Sequence, residues 1–120
     1  MSTLIFVYGT LKRGCCNHAQ LADQTFVGTA RSAPGLRLHD MGGYPGIAVA
    51  PEAAANVTGE VWSVDAATLA RLDAFEGVAE GLYRREPIAL LAPFDDRVVE
   101  AYWPGKPIGH LPVVGAEWRE

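Results

Sequence analysis

Two features of this sequence could do chemistry: a carboxylate set where negative charge is disfavoured, and a glycine turn rich in free main-chain N–H groups. The carboxylate is Glu76, directly after Phe75 at the C-terminal end of a segment with helical apolar spacing. Helix C-termini carry partial negative charge, so a carboxylate there resists ionisation. Apolar surroundings would push its pKa the same way, upward. A carboxyl group that titrates near neutrality can accept and return a proton at physiological pH. The competing acids are Asp73, which helical spacing puts on another side of the helix, and Glu80, which falls in a loop. The turn is Tyr8-Gly9-Thr10-Leu11, at the end of an apolar run. Consecutive N–H groups in such a turn form an anion-binding concavity. Gly9 would permit a positive φ and close approach of a ligand, and Lys12 and Arg13 add positive charge nearby. On the residues alone each feature also has a plain structural reading: a frayed helix end, and a tight turn with two solvated basic side chains.

Other chemistries lack their residues. His18, His39 and His110 stand far apart, and no His or Cys pair has zinc-ligand spacing. The glycines after the first apolar run lack the lysine placement of a phosphate loop, and no Gly-x-Ser-x-Gly elbow occurs. Cys15 or Cys16 could act as a nucleophile only with a base such as His18; an inert thiol is the commoner case. The chemistry expected is therefore proton transfer supported by backbone amides, with the nucleophile supplied by the substrate. No cofactor and no metal is expected.

The bulk properties agree. A chain of 120 residues favours one domain, 1–120, with a core that needs no staples. Its 49% hydrophobic content places it among globular rather than disordered sequences. The net charge is −4 and no more than two basic residues adjoin, so a nucleic-acid footprint is not expected. No apolar stretch reaches membrane-spanning length, and the start lacks the basic region of a leader. Cys15 and Cys16 are adjacent, a geometry that disfavours a disulfide, which points to a reducing, cytoplasmic setting. Asn56-Val57-Thr58 matches a glycosylation sequon, without consequence in that setting.

The elements that must position these residues follow from period and punctuation. Residues 3–8 read as a strand buried on both faces, followed by a loop over 9–14. Asn17 is expected to cap a short helix reaching about Gln24. Further strands are expected over 25–33 and 36–40, with a Gly/Pro loop at 41–46. Residues 47–50 and 57–64 look like a strand pair around a turn. Asp65 should cap an amphipathic helix over Ala66–Phe75, built on Leu69, Leu72 and Phe75 and stopped by Gly77. Two more strands are expected over 83–91 and 97–103, and then a Pro/Gly-rich tail along the surface. The pattern implies an α+β domain with a curled sheet or small barrel.

Four blocks, in order, carry a resemblance: Val7-Tyr8-Gly9-Thr10-Leu11-Lys12-Arg13-Gly14 with Asn17-His18; Tyr44-Pro45-Gly46; Gly59-Glu60-Val61-Trp62; and Leu72-Asp73-Ala74-Phe75-Glu76-Gly77 followed by Tyr83-Arg84-Arg85. Together they resemble the γ-glutamylcyclotransferase-like superfamily, most closely its γ-glutamylamine cyclotransferase-like branch. The resemblance implies a small mixed β-barrel with flanking helices. It implies main-chain binding of a glutamyl group by Tyr8, Gly9, Thr10 and Leu11, with Glu76 as the catalytic residue. It also brings Tyr83 and, more weakly, Tyr44 to the pocket, and leaves His18 a structural role. Cys15-Cys16 departs from the polar residues expected there, and nothing functional maps onto the tail.

The reaction so implied is release of 5-oxoproline from a γ-glutamyl amine or amino acid, the α-amine attacking the γ-carbonyl. The expected partner is a small γ-glutamyl compound, bound by a monomer or homodimer, with no nucleic acid and no membrane. One alternative is a non-catalytic module that holds a small carboxylate in the same turn. Another is a thiol-dependent amidase using Cys15 or Cys16.

Overall fold

The computed structural model describes residues 2–120. Strand β1 (Ser2–Val7) is followed by a 3-10 turn (His18–Leu21), then β2 (Thr25–Arg31), β3 (Leu36–Asp40), β4 (Pro45–Val49) and β5 (Thr58–Asp65). Helix α1 (Ala66–Phe75) follows, then β6 (Tyr83–Pro87), β7 (Glu100–Pro104) and β8 (Val113–Gly115). Five strands form one sheet in the order β2-β5-β1-β7-β6, and three form a second in the order β4-β3-β8. Every pairing is antiparallel except β1 with β7, so the larger sheet is mixed. This is the expected α+β class. Among the described residues, no helix is long and apolar enough to cross a membrane.

The lack of alternation in β1 has a direct cause: both its faces are buried, and each feeds a different core. Phe6 and Tyr8 join Val61, Ala101, Leu38 and Ile47 in a cluster that fills the space between the two sheets. Ile5 and Val7 join Trp62, Val64, Leu72 and Tyr102 in a second cluster beneath α1. Residues alternating along a strand point to opposite faces, so β1, β5 and β7 supply both cores at once.

Helix α1 keeps its expected limits. The Asp65 carboxylate accepts from the Thr68 N–H at 2.7 Å, satisfying a donor of the first turn. Gly77, at φ +68°, ends the helix in the left-handed region. Leu72 is fully buried, but Phe75 remains 44% exposed. Of the three apolar residues expected to seat the helix, Phe75 instead faces a cavity.

Three local expectations fail. Strand β4 pairs with β3, and β5 with β1 and β2, so residues 47–50 and 57–64 are not partners. A Cβ on Gly59 would sit 2.4 Å from the Val7 carbonyl oxygen; β5 has glycine where it lies against β1. Apolar period marks a strand's buried faces and does not name its neighbour. Asn17 caps nothing through its side chain, and the segment after it makes only the 3-10 turn. The tail does more than wrap the surface: residues 113–115 add β8 to the edge of β3.

Candidate active site

Turn and helix end meet in one cavity of about 380 Å³. Its lining includes Tyr8, Gly9, Thr10, Leu11, Tyr44, Glu76 and Tyr83, the residues that the resemblance assigns to the site, but not Lys12, Arg13, Cys15 or His18. Phe6, Val7, Asn17, Met41, Pro45 and Tyr102 also contribute, with Cys16, Gly43, Phe75 and Leu82 at exposed positions. The buried end is thus built from β1, Pro45, Tyr83 and Tyr102, and the mouth from Tyr44, Phe75, Leu82 and Cys16.

The turn after β1 is held by its carbonyls. Lys12 N–H donates to the Gly9 oxygen at 3.1 Å and Asn17 N–H to the Thr10 oxygen at 2.9 Å. The His18 Nδ1 lies 3.0 Å from the Leu11 oxygen, and the Asn17 amide donates to the Thr10 hydroxyl at 3.0 Å. With the carbonyls engaged, the N–H groups of Gly9, Thr10 and Leu11 have no protein acceptor among the described residues. Donors left unpaired beside a cavity call for an acceptor from a ligand or water. An anion meets that need best, because several N–H dipoles converge on it.

Two expectations about this turn are corrected. Gly9 does not adopt a positive φ. It is glycine because a Cβ there would lie 2.7 Å from Cγ of Pro45. Nor do Lys12 and Arg13 lend charge to the cavity. Lys12 is buried, and its ammonium donates to the Trp118 carbonyl at 2.5 Å. Arg13 pairs with Glu60 at 3.1 Å and stacks over Phe26 at 3.8 Å. Burial pushes the Glu60 carboxyl up, but hydrogen bonds from the Arg13 N–H, the Trp62 indole and the Arg13 guanidinium outweigh it and hold the pKa below the usual range. Both basic side chains are spent on structure, so what the turn offers the cavity is its amides.

Glu76 caps α1, its N–H donating to the Leu72 oxygen at 2.8 Å. Among the described residues its carboxylate has no hydrogen-bond or ion-pair partner, although the residue is half-buried. Burial pushes its pKa up to about 7. The surrounding phenols are pushed the other way from usefulness as bases. Burial, reinforced by Glu76, raises Tyr8 and Tyr83 well above the usual tyrosine range. Tyr8 donates to the Tyr102 carbonyl at 2.6 Å, and the Tyr83 hydroxyl lies 3.2 Å from the Pro45 oxygen. Burial also raises the Cys15 and Cys16 thiols, which disfavours the reactive thiolate. Glu76 is left as the cavity group poised to exchange a proton at neutral pH. Asp73 points elsewhere, bonding the Arg85 guanidinium and the Tyr102 hydroxyl, and Glu80 is exposed.

Sequence reasoning missed Tyr102, Asn17 and Pro45. Asn17 and Pro45 sat inside the quoted blocks, and their order along the chain was the only available signal. Tyr102 carried none, because its strand reads simply as buried. Among the described residues, no group of three or more His, Cys, Asp or Glu could hold a metal ion.

Residues 5–120 match the family described as "Gamma-glutamyl cyclotransferase, AIG2-like". A Vibrio cholerae protein provisionally named a γ-glutamylcyclotransferase is 43% identical over 88 residues, spanning 73% of each chain. The γ-glutamylaminecyclotransferase of Rattus norvegicus is 39% identical over 88 residues, covering 68% of this chain and 58% of the rat protein. An AIG2-like protein from Mus musculus has the same fold: TM-score 0.79 at 28% identity, over 96% of this chain and 87% of the mouse chain.

Proposed function

The chain belongs to the AIG2-like γ-glutamyl cyclotransferase family, and from that premise we propose that it releases 5-oxoproline from a γ-glutamyl amine or amino acid. One observation carries the reading: a carboxyl group with its pKa raised to about 7 shares a cavity with three backbone N–H groups, none of them paired among the described residues. The turn supplies recognition and the carboxylate supplies proton transfer.

The N–H groups of Gly9, Thr10 and Leu11 hold the α-carboxylate of the glutamyl group. This anchor folds the chain so that the α-nitrogen approaches the γ-carbonyl carbon. Fixing that geometry lowers the barrier by as much as ~7–11 kcal/mol where orientation is ideal. The α-ammonium must lose a proton before it can attack, and ionised Glu76 accepts it. The nitrogen lone pair then forms the C–N bond of the lactam as the carbonyl π-pair moves to oxygen. When the oxyanion collapses, the bond to the departing nitrogen breaks and Glu76 returns its proton to that nitrogen; the ring nitrogen then sheds its second proton, which the same carboxylate relays to the departing amine. The products are 5-oxoproline and the released amine in its ammonium form, and Glu76 is again ionised. General acid–base help of this kind is worth on the order of 10²–10⁴-fold in rate.

Support for this reading lies in the division between the two ends of the cavity, and in the rat relative, whose name is that of a γ-glutamylamine enzyme. The test is Glu76→Gln with a γ-glutamyl compound that the parent accepts, read by 5-oxoproline release. Turnover should fall by about 10²-fold or more. Near-parent turnover would remove Glu76 from the mechanism. Tight binding of the compound by the parent, with no turnover, would instead identify a carboxylate-binding module.

A further inference from the structure

Three large apolar side chains stand exposed around the mouth of the cavity, and the chemistry just described leaves them without a task. They are Tyr44 and Phe75, each 44% exposed, and Leu82, 62% exposed. No other Phe, Tyr or Trp among the described residues is exposed. Single exposed apolar residues are ordinary, but a cluster rimming one cavity marks a place for a ligand. The cluster comes from three segments whose backbones are held. Leu82 N–H donates to the Gly77 oxygen at 3.0 Å, and its carbonyl accepts from Gly105 at 2.9 Å. The Tyr44 carbonyl accepts from Met41 at 2.8 Å, and the Asp40 carboxylate takes the N–H groups of Gly42 and Gly43 in the same turn. Phe75 is the last residue of α1. Charge is the second observation. Among the described residues the cavity is lined by no Lys, Arg or His, and Glu76 is its one acidic side chain. The Glu120 carboxylate beside Cys16 is already occupied by the Cys16 N–H and the Trp118 indole.

We propose that Tyr44, Phe75 and Leu82 form the subsite of the departing amine, and that it takes an uncharged apolar group, a butyl chain or an arylalkyl group, over a tail of either charge. The proposal rests on the cyclotransferase reading. In that reading the turn holds the glutamyl end and Glu76 meets the departing nitrogen. What that nitrogen carries then lies beside Phe75, the chain neighbour of Glu76, and leaves by the mouth. An apolar group there covers exposed apolar surface, and each methylene buried adds to binding. A carboxylate in the same place would shed water against an apolar rim with no cation to receive it, and would stand near ionised Glu76. An ammonium would lose hydration too, since Glu76 is engaged by the reacting nitrogens and Glu120 by the Cys16 loop. Because the three segments are fixed, the rim is preorganised and little ordering is lost on binding.

The test is a series of γ-glutamyl compounds that share the glutamyl end. They are the methylamide, the n-butylamide, the butylamide carrying a terminal ammonium, the phenethylamide, and γ-glutamylphenylalanine, which is the phenethylamide plus one carboxylate. kcat/KM for 5-oxoproline release should rise about tenfold from methylamide to butylamide. It should fall about tenfold when the butyl chain gains its ammonium, and as far from the phenethylamide to γ-glutamylphenylalanine. In Phe75→Ser and Leu82→Ser the butyl-to-methyl ratio should shrink to about threefold or less. A disturbed Glu76 or turn alters both amides alike and cancels in that ratio. Leu82→Arg, at an exposed position, should narrow the gap between γ-glutamylphenylalanine and the phenethylamide by supplying the missing cation. A flat series, a charged tail that matches its uncharged counterpart, or a ratio that survives both serine variants would overturn the proposal. If the parent releases no 5-oxoproline from any of these compounds, the proposed function fails, and their affinities by calorimetry decide the subsite alone. The same order upholds it; any other order, or no binding, overturns it.

Discussion

The ring of Pro45 occupies the space that a side chain on Gly9 would need. A Cβ at Gly9 would stand 2.7 Å from Pro45 Cγ and 2.9 Å from Cδ. The contact ties the turn after β1 to the first residue of β4, whose carbonyl lies 3.2 Å from the Tyr83 hydroxyl. The first turn of the chain, the second block of the resemblance and the tyrosine of β6 are thus one packed unit. The glycine serves this contact rather than a special backbone angle.

Gly9→Ala is therefore expected to act through Pro45. The new methyl forces the ring or the turn to shift, and overpacking of this kind costs ~1–3 kcal/mol of stability. The displaced turn carries the free N–H groups, so KM should rise by about tenfold or more, each ~1.4 kcal/mol of lost binding being a factor of ten. Chemical denaturation and steady-state kinetics give the two numbers. Unchanged KM in a destabilised variant would mean that the amides do not hold the substrate.

The Glu76 carboxyl group sets a pH dependence. Its pKa is raised to about 7, and only the ionised form can accept the α-ammonium proton. The rate should therefore fall on the acid side, with kcat/KM losing tenfold per pH unit well below the midpoint. The profile of the free enzyme should show a single ionisation near 7. An acid limb that bends at the ordinary glutamate value, near 4.5, would show that the rate-limiting group is not a carboxyl raised by burial.

Lys12 anchors the C-terminal segment beneath the turn. Its buried ammonium bonds the Trp118 carbonyl, and the Glu120 side chain accepts the Cys16 N–H at 2.8 Å on the same loop. Lys12→Met keeps the stem and leaves that carbonyl without its donor, at a cost of ~1–3 kcal/mol. The loosened loop carries Thr10 and Asn17, so recognition should suffer more than chemistry. The expected split is a several-fold rise in KM with kcat within about twofold of the parent, since Glu76 is held separately by α1. Loss confined to kcat would contradict it.

How much of this was legible in advance depends on how local each cause is. Helix α1 and its cap were readable because Asp65, Leu69, Leu72 and Gly77 act within a few residues of one another. Strand β1 was readable because burial on both faces removes alternation. The pairing of β5 with β1 and β2 was not, because apolar period is identical for any partner. The fates of Lys12 and Arg13 were hidden for a similar reason. A basic side chain in a turn looks solvated until the fold brings Trp118 to one and Glu60 to the other. Glu76 was readable as a position, since a helix end and its glycine stop are local; its isolation from partners is a property of the folded cavity. Asp73 and Arg85 stood in the recognised blocks, but their ion pair exists only once β6 lies against the helix.

Glu76 should also cost stability, and the sign can be worked out. Its folded pKa, about 7, stands above its ordinary value of 4.5. Below pH 4.5 both states are protonated and the burial of the carboxyl group carries no charge penalty. Between 4.5 and 7 the folded state binds more protons than the unfolded one, so stability is lost as pH rises through that window. Above it the folded chain holds a half-buried negative charge with no partner among the described residues. Glu76→Gln has no charge to bury and escapes this loss, though its amide also lacks a partner. At pH 8 the variant should be more stable than the parent by roughly 1–2 kcal/mol, a few degrees in Tm, and the advantage should vanish by pH 4. Thermal melts of both proteins at the two pH values decide it. A variant less stable than the parent at pH 8 would mean that the carboxylate has a stabilising partner in solution, and would leave burial unable to account for its poise.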